Sequence, residues 1–173
     1  MGNRRAREFV LRQADEEGWG RARTLPRPVN GTVGARGCGG LRLQLVVCPS
    51  FEEGVAWEVR QRGDEWFLYR SAVVGGPTIQ LVGFDWLSAD PLRLAGFYAR
   101  VTALTLPLSP DRSGLAGADG TSYQLAVYGD LWSGWRFQWW SEYPRQWQPI
   151  VDLADEMAAL FGPAPLADAP RPE

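Results

Sequence analysis

Trp132, Arg136, Trp140 and Tyr143 are the residues of this chain best suited by type and spacing to grip another molecule. In Trp135-Arg136-Phe137-Gln138-Trp139-Trp140, strand alternation puts Trp135, Phe137 and Trp139 on one face and Arg136, Gln138 and Trp140 on the other. The first three suit a core, where each indole removes roughly 200 Å² from water. The outward set, with Trp132 before it and Tyr143 after it, combines the tryptophan, tyrosine and arginine types that dominate binding hot spots. The expectation is a contact patch.

Catalytic sets are scarce. The 173 residues contain no histidine, and all 18 basic residues are arginine. A Ser–His–Asp triad, a Cys–His pair, an imidazole metal ligand, a Schiff-base lysine and a P-loop lysine are therefore excluded. Cys38 and Cys48 lack CxxC spacing and cannot complete a zinc site without histidine. A catalytic thiolate at Cys48 would need a cation beside it, and arginine is the one type on offer. The neighbouring acids Glu52-Glu53 and Asp155-Glu156 have the spacing of solvated surface, not of a glycosidase pair or a metal cluster. No catalytic residue, metal site or cofactor is expected.

Those residues need elements to position them. Leu41, Leu43, Leu45 and Val47 alternate with Arg42, Gln44 and Val46, as in a half-buried strand closed by Pro49. Val55–Arg60 and Glu65–Arg70, joined through Arg62-Gly63-Asp64, read as a hairpin, and a further strand is expected around Ile79–Phe84. Asp90-Pro91 marks a helix start, with Asp90 as N-cap and Pro91 at N1. Leu94, Phe97, Tyr98, Val101 and Leu104 follow on one face, and Pro107 is the expected stop. Residues 109–120 read as a glycine-rich loop. Strands at Tyr123–Tyr128 and Trp135–Trp140 come next, then a helix opened by Pro149 with Ile150, Leu153, Met157 and Leu160 inward and Gly162-Pro163 at its end. The expected fold is α+β: a mainly antiparallel sheet of five to six strands with two or three helices packed on one face.

Residues 41–162 form the expected single domain. Residues 1–40 comprise a short helix over 4–17 and a Gly/Arg-rich, partly flexible segment, with five glycines among residues 31–40. Residues 163–173 are rich in proline and expected to be a flexible tail. Residues 1–42 carry nine arginines against four acids, and residues 43–173 nine against sixteen, so a basic arm precedes an acidic body. The opening residues lack the continuous apolar run of a signal peptide, and no stretch reaches a membrane-span length. The expected location is the cytoplasm, with reduced cysteines and no membrane partner.

Asp119-Gly120-Thr121-x-Tyr123-x-Leu125, followed by Trp139-Trp140, Pro144, Trp147 and Pro149, resembles a C-terminal pattern of small uncharacterised bacterial α+β proteins, some of them immunity-protein-like. The resemblance covers about the last 55 residues. It implies a bacterial origin and a strand–strand–helix ending, and no activity. The leading expectation is a non-catalytic protein-binding module, of immunity or adaptor type, whose partner is another protein. One alternative is nucleic-acid contact through the basic N-terminal segment. A second is a carboxylate-based enzyme acting on a small polar substrate, which would need two acids a few ångströms apart.

Overall fold

The computed structural model describes residues 39–74, 80–107, 120–130 and 133–167. The helix expected over 4–17, most of the Gly/Arg-rich segment, the bulk of the 109–120 loop and Trp132 lie outside these residues. Six strands are present: β1 (Gly40–Pro49), β2 (Gly54–Arg62), β3 (Glu65–Val74), β4 (Gln80–Leu87), β5 (Thr121–Tyr128) and β6 (Gly134–Trp140). Among the described residues two helices accompany them, α1 (Pro91–Thr102) and α2 (Gln148–Phe161), the latter led in by a 3-10 turn at Arg145–Trp147. Every strand pairing is antiparallel, in the order β4-β3-β2-β1-β5-β6. The class is α+β as expected, with a helix count at the low end of that expectation. Among the described residues, no helix is long and apolar enough to cross a membrane.

Local chemistry accounts for these elements. Gly63 has φ +56° in the two-residue loop between paired Arg62 and Glu65, a conformation that suits the tight turn of a hairpin. Asp90 accepts a hydrogen bond from the Leu92 N–H at 3.0 Å, so the cap read from the sequence is formed. The helix ends at Thr102, before Pro107, and the Thr102 hydroxyl donates to the Tyr98 carbonyl at 2.9 Å. In α2, Ile150, Met157 and Phe161 are fully buried, whereas Leu160 is half-buried.

One expectation about β1 changes. Between Leu41 and Leu43 the register shifts, so Leu41 lies opposite Arg60 while Leu43 lies opposite Val59. A bulge inserts an extra residue and interrupts simple alternation. Arg42 consequently reaches α1, its guanidinium carbon 5.7 Å from the centre of the Tyr98 ring, and pairs with Asp130 at 2.7 Å.

Both helices pack on one side of the sheet. Their buried residues share a single cluster with Leu43, Leu45, Trp57, Val59, Leu125 and Val127 from the central strands. A smaller cluster of Val46, Cys48, Ala56 and Val73 belongs to the second face and contains no helical residue.

Candidate functional site

The second face carries the polar chemistry of the domain. Cross-strand register lines up Arg136, Ala126, Gln44, Glu58, Tyr69 and Trp86 in one row across all six strands. In the middle of that row Glu58, 5% exposed, is held from several sides. The Tyr69 hydroxyl donates to its Oε2 at 2.5 Å, and Arg60 Nε and Nη2 donate to the same oxygen at 3.2 and 3.0 Å. Gln44 Nε2 donates to Oε1 at 3.1 Å, and Gln124 Nε2 in turn approaches Gln44 Oε1 at 3.4 Å. Arg60 also donates to the Gly39 carbonyl and lies 5.2 Å from the centre of the Tyr69 ring. Burial first, and then the Glu58 charge, push the Tyr69 hydroxyl well above its ordinary pKa.

Such a cluster is costly to bury and stable when its partners are complete. Glu58 accepts four hydrogen bonds from three side chains, which suits a fixed structural role. Among the described residues no second carboxylate is buried beside it, and no group of three or more metal-ligating side chains occurs.

At one end of the row the chain's own backbone lies against the last residues of β4. The Ser88 N–H donates to the Pro165 carbonyl at 2.8 Å, the Ala167 N–H to the Trp86 carbonyl at 2.9 Å, and Leu166 bridges Leu87. Part of the segment expected to be a tail thus runs antiparallel along β4.

At the other end β6 has no further neighbour among the described residues. The Gly129 N–H donates to the Ser133 carbonyl at 2.8 Å, so hydrogen-bonded pairs recur at Val127↔Trp135, Leu125↔Phe137 and Tyr123↔Trp139. The Ser50 N–H bond to the Gly120 carbonyl assigns the alternate β5 residues to β1, in agreement. The backbone groups of Arg136, Gln138 and Trp140 therefore point away from the sheet. Arg136 and Gln138 are exposed, and Trp140 is half-buried with its indole N–H unpartnered. A shallow depression of about 380 Å³ lies at this hairpin end, lined by Tyr128, Ser133, Gly134, Trp135 and Arg136. Burial raises the Tyr128 hydroxyl pKa, and nearby Arg136 opposes that rise.

The inward aromatics of β6 pack against neighbouring rings. Trp139 stacks on Tyr123 at 5.6 Å, and Phe137 meets both Trp147 and Trp135 edge-on, at 5.5 and 5.0 Å.

Of the residues expected to form a patch, Arg136 and Trp140 share the second face of β6. Tyr143 packs instead against the helix-side core, and its hydroxyl donates to Gln148 Oε1 at 3.2 Å. Trp132 lies outside the described residues, as does nearly all of the basic arm. Sequence reasoning missed Glu58, Arg60, Tyr69, Gln44 and Gln124. The available signal was an i, i+2 pair of opposite charges, Glu58 and Arg60, inside the apolar run of β2. Comparison with protein-family models, with curated proteins and with solved structures finds no match for this chain.

Proposed function

We propose that this chain is a non-catalytic protein-binding module, of immunity or adaptor type, that receives an extended segment of another protein along β6. The supporting observation is the row of outward backbone groups at Arg136, Gln138 and Trp140 on a strand whose inward side is locked by stacked aromatics. Strand addition draws affinity from main-chain hydrogen bonds and specificity from alternate side chains. Exposed Arg136 and half-buried Trp140 supply the side chains on one face, while Trp135 and Phe137, both half-buried, supply the other.

The test uses Gln138→Pro, which removes an outward N–H without touching the β5–β6 ladder. A partner captured from the native host by the wild type should be lost with this variant. In the reconstituted pair, amide exchange should slow at residues 136, 138 and 140. No stoichiometric partner, or equal capture by both proteins, would count decisively against the reading.

A further inference from the structure

We infer that the segment received by β6 carries an Asp or Glu opposite Arg136 and, four residues away, an apolar side chain opposite Trp140. This rests on the strand-addition reading above and specifies its partner. In an added strand, side chains directly opposite sit about 5 Å apart on the same face. Arg136, Gln138 and Trp140 occupy one face of β6 at every second position. The residue facing Arg136 is therefore separated from the residue facing Trp140 by four positions, whether the added strand runs parallel or antiparallel.

Arg42, Arg60, Arg62, Arg70 and Arg100 all pair with carboxylates. Arg136 is exposed and, like Arg93 and Arg145, forms no ion pair with a carboxylate among the described residues; of these three it alone lies on β6. β6 itself, Gly-Trp-Arg-Phe-Gln-Trp-Trp, contains no acid. A carboxylate seated opposite Arg136, beside the depression at the hairpin end, meets a guanidinium able to donate two bonds. The position opposite Gln138 favours a polar side chain. The two remaining positions lie opposite Phe137 and Trp139, and so favour apolar residues. A second copy of β6 offers no such carboxylate, because within the strand its one charged side chain is again Arg136.

Two fluorescent probes, each capped by serines, cover both directions: Leu-Val-Thr-Val-Glu and Glu-Val-Thr-Val-Leu. The better binder should lose about fivefold in affinity for the full chain when its Glu becomes Gln. Arg136→Gln should erase that difference while leaving affinity for the Gln probe within about twofold, the signature of a direct pair. Replacing the probe Leu by Ser should weaken binding to the wild type more than to Trp140→Ala.

Equal affinities for Glu and Gln probes, with both blocked by Gln138→Pro, would overturn the acidic specificity and leave strand addition standing. Binding indifferent to Gln138→Pro would overturn both. No binding of any probe at millimolar concentration would overturn the inferred motif, and capture of the native partner would then judge strand addition separately. Concentration-dependent dimerisation of the wild type, abolished by Gln138→Pro, would assign β6 to a second copy and overturn the inference.

Discussion

At the β4 edge, residues 165–167 lie beside Trp86–Ser88 and take up two main-chain hydrogen bonds; at the β6 edge, the amides of Arg136, Gln138 and Trp140 face outward with no strand beside them among the described residues. The row that joins the two edges changes character along its length. It runs from exposed Arg136 through buried Gln44 and Glu58 to Tyr69, which meets Trp86 edge-on at 5.3 Å. Bare strand edges invite uncontrolled pairing, and proteins ordinarily cover or charge them. Here the end of one edge, at Trp86–Ser88, is covered by the chain's own backbone, and the other edge carries Arg136 and a set of aromatics.

The contrast can be broken most forcefully at β6 itself. Phe137→Pro would remove an inward N–H bond to β5 and the ring packed on Trp135 and Trp147. It should cost about 4 kcal/mol or more. Gln138→Pro, one residue further on, should stay within about 1 kcal/mol. Urea denaturation of both variants measures the difference, and equal losses would mean that the backbone directions assigned to β6 are wrong.

The row should show a similar gradient. Glu58→Ala leaves Arg60 buried without its anion and should cost about 3 kcal/mol, whereas Arg136→Ala should change stability by about 0.5 kcal/mol or less. The same denaturation curves decide it.

Smaller effects sharpen the covered half. Tyr69→Phe deprives Glu58 of one donor, a loss of about 1–2 kcal/mol. The Tyr69 hydroxyl has a raised pKa in the folded state, so its contribution is complete below the unfolded value near 10 and declines as pH rises beyond it. Wild type should therefore lose stability above pH 10 more steeply than Tyr69→Phe, as followed by thermal melts across alkaline pH. Truncation after Ala164 should cost about 1 kcal/mol, from two exposed backbone bonds. It should speed exchange of the Ser88 amide and promote self-association; an unchanged Ser88 amide would show that residues 165–167 contribute no protection.

Much of this architecture could be read from local signals. Asp90-Pro91, the Gly63 turn and the alternation of β1, β5 and β6 each encode their geometry within a few residues, so element type and class followed. Alternation also gave the outward phase of Arg136 and Trp140. The bulge at Leu41–Leu43 was hidden, because it depends on how Arg60 and Val59 of another strand fall into register. Tyr143 was hidden too, since its direction is set after the strand ends, by contact with the helix-side core.

By itself the sequence determined the α+β class, the two helix starts and the absence of histidine- and lysine-based chemistry. These follow from residue inventory and from dihedral preferences that act locally. The tertiary structure alone decided that β5 returns beside β1, leaving β4 and β6 as the edges. It alone gathered Gln44, Glu58, Tyr69 and Gln124 from four strands into one buried network. Strand order is a long-range choice made by packing the whole sheet against two helices. The roles of Glu58 and Arg136, three strands apart along one row, exist only once that choice is made.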